Sequence, residues 1–333
     1  MNLYLTTMNI LQTSYLGLPL KNPLIVGSSS LTNSVEKVKK LESAGAAAVV
    51  LKSLFEEQMM NEAQNLYHAG EYYPGAADYL QGYVSGHSIA EYLRLISDLK
   101  QSVSIPVIAS INCISASGWI EHALNMQQAG ADAIEINIYF IPADKNRSSK
   151  KCEAIYLDIA EALNKSVSIP VVFKLGNHFT NLSRIVDRLY CRGVRGVVLF
   201  NRFYEPDIDI TNLTLKSASV FSSPDDIRYS LRWVSMVSAA VDGIQISAST
   251  GISDASGVIK MLLAGAQTTQ ICSELYKTGP HLLKTITQEM QQWMEAHYYK
   301  SVDEFRGILN YKNIENPEHY ERSQFMKYYS THE

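Results

Sequence analysis

Short apolar runs alternate along the chain with longer stretches whose apolar positions recur three and four residues apart, from Pro23 to the region after Pro280. The runs are P-L-I-V-G-S-S from Pro23, A-A-V-V-L-K-S from Ala47, P-V-I-A-S-I-N from Pro106 and A-I-E-I-N-I-Y from Ala133. P-V-V-F-K-L-G from Pro170, G-V-V-L-F-N-R from Gly196, I-Q-I-S-A-S-T from Ile244 and T-T-Q-I-C-S-E from Thr268 complete them. Nearly continuous apolar character and β-branched content predict eight strands buried on both faces, as in a parallel sheet. The stretches between them, such as W-I-E-H-A-L-N-M-Q-Q-A-G-A, predict amphipathic helices, and several close on Ala-Gly or Arg-Gly, the glycine stop of a helix C-terminus. Strands alternating with helices imply a parallel α/β architecture. Eight units point to a (β/α)8 TIM barrel rather than a doubly wound sheet. The expected unit is a single barrel domain over residues 1–312, followed by a polar tail at 313–333.

Two excursions interrupt the repeat, one from Phe55 to about Gly86 and one from Tyr204 to about Pro224. Both follow strands, which places them at the C-terminal face where barrels of this kind build their sites. After the last barrel helix, H-Y-Y-K-S-V-D-E-F-R-G-I-L reads as a short packed helix.

Composition narrows the function. With 46% hydrophobic residues in 333, the chain can bury a large core, and Lys+Arg 29 against Asp+Glu 33 leaves a net charge of -4. That balance argues against nucleic acid or an anionic membrane as the partner and favours a small molecule. Cys113, Cys152, Cys191 and Cys272 are scattered without a C-x-x-C pair, which argues against a disulfide framework, a zinc site or an iron–sulfur cluster on this chain. The N-terminus lacks a basic region followed by an apolar one, and no window is apolar for the roughly 20 residues that a membrane span needs. A cytoplasmic protein is expected.

Polar residues gather at the C-terminal ends of the strands: Ser28, Lys52, Asn112, Asn137, Lys174, Asn201 and Thr250. Two lysines and three amides at a barrel mouth suit a planar, polar, anionic ligand, because Lys donates while Asn both donates and accepts. After the last two strands, Thr250, Gly251 and Ser273 offer backbone N–H groups and hydroxyls to a phosphate beside a helix N-terminus. In the fourth run, Glu135, Asn137 and Tyr139 share one face, while Ile134, Ile136, Ile138 and Phe140 share the other. Phe140 therefore faces away from the barrel axis unless the loop turns it back over the mouth.

Carried together, these residues resemble the dihydroorotate dehydrogenases, specifically the soluble class 1 enzymes, over roughly residues 13–312. The motifs are L-K-N-P-L-I-V-G-S-S, A-G-A-A-A-V-V-L-K-S, A-D-A-I-E-I-N, V-V-F-K-L, L-F-N-R and the long run from I-Q-I-S-A-S-T-G to S-E-L-Y-K-T-G-P. The resemblance implies FMN as cofactor, its ring across the barrel mouth and its phosphate on the turns after strands seven and eight. By position, Lys52 and Lys174 look like the flavin-contacting lysines, and Asn137 and Asn201 like strand-end amides near flavin and substrate. Thr250, Gly251, Cys272 and Ser273 match the phosphate turns. The implied chemistry is proton removal by a base and hydride removal by the flavin, with Lys174 stabilising the reduced ring. A homodimer is implied as well, and for some members a partner carrying an iron–sulfur cluster.

The substrate half departs from the family pattern. The family's loop resembles N-L-S-C-P-N, or the same with Ser for Cys as the base, whereas N-I-Y-F-I-P here puts Phe140 at the base position and Pro142 at that of a substrate-binding Asn. A serine that follows the sixth-strand Asn in the family is Arg202, which reads equally well as an anchor for an anionic group on the substrate or as a solvent-facing arginine. Cys113 and Tyr139 are the nearest stand-ins for a base, though a buried small residue and a packing aromatic describe them as well. The leading expectation is an FMN-dependent oxidoreductase whose substrate differs from dihydroorotate. The alternatives are a flavin-binding paralogue without dihydroorotate turnover, a dihydropyrimidine or enoate reductase, and a lyase or isomerase using Lys174 as a Schiff-base nucleophile.

Overall fold

Thr13–Tyr15 (β1) and Leu18–Leu20 (β2) pair antiparallel as a small hairpin before the first predicted run. The computed structural model describes residues 9–56, 76–113, 116–138, 140–202 and 205–321, with 76–87 and 116–117 as backbone alone. The runs then fold as β3 (Leu24–Val26) and β4 (Ala48–Val50), a two-residue addition β5 (Leu54–Phe55), β6 (Val107–Asn112), β7 (Ala133–Asn137), β8 (Val171–Leu175) and β9 (Gly196–Leu199). The hairpin β10 (Pro206–Asp209) and β11 (Thr214–Ser217) intervenes before β12 (Gln245–Ser249) and β13 (Thr268–Ile271). Strands β3, β4, β6, β7, β8, β9, β12 and β13 pair parallel in that order, and β13 closes on β3. All eight predicted strands are the barrel strands, and the fold is the expected (β/α)8 barrel.

Side-chain alternation divides the core in two. Leu24, Val26, Val49, Leu51, Ile134, Ile136, Phe173 and Leu175 pack outward with helix residues such as Val38, Leu41, Ile185 and Val258. The alternate positions Ile25, Ala48, Val50, Ile108, Ala133, Val172 and Val198 form a separate cluster with Tyr15, Leu16 and Leu20, and so fill the lumen. The β1–β2 hairpin is therefore a plug. It closes the N-terminal end of the barrel, where the Leu16 N–H donates to Gln245 Oε1 at the start of β12. A Cβ on Gly196, at the start of β9, would lie 2.8 Å from Leu16 Cδ2, so the absence of a side chain there makes room for the plug.

The helices start and stop as their sequences direct. Ser34, Ser148, Asn181 and Asp254 cap the helices Val35–Ser43, Ser149–Ser166, Leu182–Tyr190 and Ala255–Leu263, each side chain accepting a first-turn N–H. Gly265 follows the last of these at φ 111°, and a Cβ there would lie 2.4 Å from Ser238 Oγ, so only glycine closes that turn.

Three expectations change. The helix before β6 begins at Ala76, not near Gly86, and runs to Ser102. Tyr79, Leu80, Tyr83 and Val84 already recur at helical spacing, and two glycines within that stretch masked the pattern. The remainder of that excursion, 57–75, lies outside the described residues. The second excursion carries the β10–β11 hairpin, and the segment after the last helix is a 3-10 turn at Val302–Glu304 rather than a helix. That turn still packs, with Phe305 fully buried and Gly307, Leu309 and Tyr311 donating N–H groups to carbonyls of Leu262, Leu263 and Ser235.

Tyr15 is 1% exposed at the centre of the plug. Truncating it should cost about 3–5 kcal/mol, as for other large buried aromatics. The Tyr15→Ala variant is accordingly expected to unfold at a markedly lower denaturant midpoint than the wild type.

Candidate active site

Above the apolar floor the lumen turns polar. Two residues on from Ile108, Ala133 and Val172 in the same inward register stand Ser110, Glu135 and Lys174, with Ser247, Thr268 and Gln270 from β12 and β13 beside them. Glu135 is fully buried. Its Oε2 accepts a hydrogen bond from Gln270 Nε2 at 2.7 Å, and its Oε1 lies 3.5 Å from Lys174 Nζ. Asn137, two residues further up β7, is buried and accepts a hydrogen bond from Asn201 Nδ2 at 2.8 Å. The two strand-end amides singled out in the sequence thus form one unit, steadied by the Asn201 N–H donating to the Leu175 carbonyl.

A cavity of about 240 Å³ opens over this layer and gathers Ser28, Lys174, Asn201, Thr250, Gly251, Cys272 and Ser273, with Gln270 in its wall. Seven of the residues expected from the sequence therefore meet in one place. A larger cavity of about 610 Å³ adjoins it and shares Phe200, Asn201, Arg202 and Thr250. Lys52, Asn112 and Asn137 line neither cavity, although Asn137 touches Asn201, which lines both. Lys52 is exposed just past β4, and Asn112 is half-buried at the end of β6, opposite Phe55 of β5.

The turns after β12 and β13 are built tightly. Gly251 has φ 76°, and a Cβ on it would fall 2.2 Å from the backbone nitrogen of Ile227, at the start of the helix Ile227–Ala240. Only glycine lets that turn and that helix meet. The Thr250 hydroxyl donates to the Phe200 carbonyl, and Ser273 Oγ accepts the Ser222 N–H, which draws the 218–223 loop across the cavity. Burial raises the Cys272 thiol above its ordinary value, with Ser29 and Lys174 opposing, so the position adds no negative charge at neutral pH.

Phe140 follows the parity of its strand. It packs against the outer core with Ile138, the Arg147 guanidinium lies 5.2 Å from its ring centroid, and it lines neither cavity. Tyr139 lies outside the described residues. Cys113 is 8% exposed, and burial pushes its thiol well above the usual range, with nearby Glu56 adding to the effect. Such a thiol does not accept a proton at neutral pH.

Arg202 proves to be a clamp on the second excursion. Its guanidinium donates to the Val220 carbonyl at 2.9 Å and to Glu205 at 3.1 Å, which ties the two ends of the hairpin segment together. Both groups occupy it, so its charge is already matched. Other residues of the larger cavity escaped the sequence reading, chiefly His178, Asp225, Arg228 and Tyr229. His178 comes from a loop, Asp225 from the 3-10 turn Pro224–Asp226, and Arg228 and Tyr229 from the first turn of the helix Ile227–Ala240. His178 stacks on Phe179, and burial lowers its pKa from the usual 6.5.

A parallel barrel whose mouth joins a buried lysine, paired amides and Gly/Ser/Thr turns defines a class of barrel built for a polar cofactor or substrate. The dihydroorotate dehydrogenase family model matches residues 10–294, and the chain belongs to that family. Among its relatives, the catalytic subunit of dihydroorotate dehydrogenase B (NAD(+)) from Thermoplasma volcanium is 25% identical over 307 residues, covering 90% of this chain and 99% of that one. Its counterpart from Thermoplasma acidophilum is 26% identical over 304 residues, with 90% and 98% covered. The chloroplastic dihydropyrimidine dehydrogenase (NADP(+)) of Arabidopsis thaliana is 21% identical over 318 residues, with 87% and 75% covered. Among the described residues no helix is long and apolar enough to cross a membrane.

Replacing Arg202 by Ala should release the hairpin segment. Limited proteolysis is expected to cut between 205 and 220 in the variant under conditions that leave the wild type intact, with global stability changed by no more than about 1 kcal/mol.

Proposed function

We propose that this chain is an FMN-dependent oxidoreductase acting on a CH–CH bond of a small polar substrate, and that dihydroorotate is a poor substrate for it. One observation carries the cofactor reading. Lys174 and Gln270, whose Oε1 is buried without a hydrogen-bond partner, both meet Glu135 and both line a cavity bounded by the Thr250–Gly251 and Cys272–Ser273 turns. A cation beside an unused acceptor fits the edge of a flavin ring, which carries carbonyl oxygens and an N–H. The hydroxyls and backbone of the two turns fit its phosphate. When bound, FMN supplies a two-electron hydride acceptor or donor.

The chain's own residues then divide the remaining work. Lys174 offers positive charge to the ring, and Asn201, held by Asn137, presents its amide where the two cavities meet. Proton handling cannot fall to Phe140 or to the Cys113 thiol. In the larger cavity Glu205 pairs with Arg202, Asp225 with Arg228, and Asp226 accepts the Ser223 N–H. His178, neutral above its lowered pKa, is the wall residue suited to exchange a proton near neutrality. A paralogue that binds flavin without turning over dihydroorotate is the second reading, favoured by the outward packing of Phe140.

The protein is expected to purify yellow with FMN, and a colourless preparation that cannot be reconstituted would sink the proposal. Anaerobic flavin bleaching and reoxidation against dihydroorotate, dihydropyrimidines and enoates should give at most weak turnover of dihydroorotate. With a productive substrate, the oxidation rate should fall at a pH below the ordinary histidine value, because burial lowers the pKa at which His178 becomes protonated. The His178→Asn variant should lose that acid limb; an unchanged profile would assign the proton to another group.

A homodimer belongs to the same proposal. The β10–β11 segment exposes Ile208 at 61%, Ile210 at 83%, Leu213 at 85% and Leu215 at 75%, and a two-stranded hairpin gains stability when such a face is covered. Light scattering should report a dimer for the wild type and a monomer for Ile210→Asp.

A further inference from the structure

The carboxylate beneath the cavity has no role in the reading above, which this inference deepens and on which it rests. Glu135 is fully buried, and burial of an ionised carboxylate is sustained only by a close counter-charge and hydrogen bonds. Gln270 supplies one hydrogen bond, at 2.7 Å to Oε2. Oε1 receives none and faces Lys174 Nζ at 3.5 Å. Other groups around the carboxylate bring no charge: burial raises both the Tyr15 and the Tyr92 phenols, with Glu135 itself adding to each shift, so both stay neutral. Among the described residues, Lys174 is the one cation ion-paired to Glu135. Lys174 in turn lines the smaller cavity, whereas Glu135 does not.

We propose that Glu135 is a positioning residue that fixes Lys174 from below and offsets part of its charge, so that the cavity holds a bound flavin at a lower midpoint potential than Lys174 alone would set. The physical reason is electrostatic. Two-electron reduction of the ring adds negative charge beside Lys174, which a bare cation stabilises strongly and an ion pair much less. The geometry is suited to tuning because the carboxylate sits behind the lysine, on the side away from the cavity, where it reaches the ring through Lys174 without contacting a ligand.

The test is the flavin midpoint potential of the full-length FMN-loaded protein, measured by spectral titration against reference dyes. Glu135→Gln, which keeps the shape and removes the charge, should raise the potential by at least about 30 mV, a tenfold change in the equilibrium constant of a two-electron couple. Lys174→Met should lower it. If Glu135→Gln does not accumulate as folded protein, Glu135→Asp carries the test, since withdrawing the carboxylate by one methylene should give a smaller rise of the same sign. A potential unchanged or lowered in the folded Glu variant overturns the inference while leaving the cofactor assignment intact. A wild-type protein that takes up no FMN overturns the cofactor assignment instead.

Discussion

Closing eight short strands into a ring forces every second side chain into a lumen a few residues deep, and the rest of the molecule follows from how that lumen is filled. At the N-terminal end it is apolar, with Ile25, Val50, Ile108, Val172 and Val198 sealed by Tyr15, Leu16 and Leu20 of the hairpin plug. Further along their own strands stand Ser110, Glu135, Lys174 and Gln270, and Asn112 and Asn137 follow at the ends of β6 and β7. A buried carboxylate and a buried ammonium are tolerated in the middle layer because each meets the other and because the plug excludes water from beneath. The polar mouth is thus supported from below by a rigid, dry floor.

Much of this was legible in the sequence because it obeys a period. The eight runs matched the eight barrel strands, and the polar residues at their ends converged since strand alternation fixes direction. Parity alone also set Phe140 on the outer face with Ile134, Ile136 and Ile138, and the loop does not bring it into either cavity. Lys52 shows the limit of this reasoning. It shares the inward parity of Val50, yet past the strand end it stands exposed and outside both cavities.

What stayed hidden lies in long-range pairings. Arg202 read equally well as a substrate anchor or a surface arginine, and only the approach of Val220, 18 residues away, identifies it as a clamp. The Glu135–Gln270 hydrogen bond spans 135 residues and joins two strands that are not neighbours in the barrel, so no local pattern announces it. His178 and Asp225 reach the larger cavity from separate loops whose conformations depend on the packing of Phe179 against Tyr156 and of Gly251 against Ile227. Sequence periodicity predicts which way a strand residue points; it is silent about which loops meet.

On the cofactor reading proposed above, the contrast between the two halves of the mouth bears on which substrates the site can turn over. Oxidising an unactivated CH–CH bond requires a base strong enough to take a carbon-bound proton, and the resemblance puts the base position at Phe140, which packs against the outer core. An activated bond makes a weaker demand, because the proton is exchanged at a more acidic carbon and a histidine or water can handle it. The larger cavity has walls rich in ionised and hydrogen-bonding side chains, which suits hydration, while Lys174 and its buried counter-ion remain in place for the electron-transfer side. On that reading, a phenylalanine at the base position beside the proposed flavin-side residues weighs more heavily against turnover of unactivated substrates than of polarised ones. Forward and reverse reactions of one substrate share a transition state, so the cost of replacing the base falls equally on both directions, and what the site can still select is the substrate.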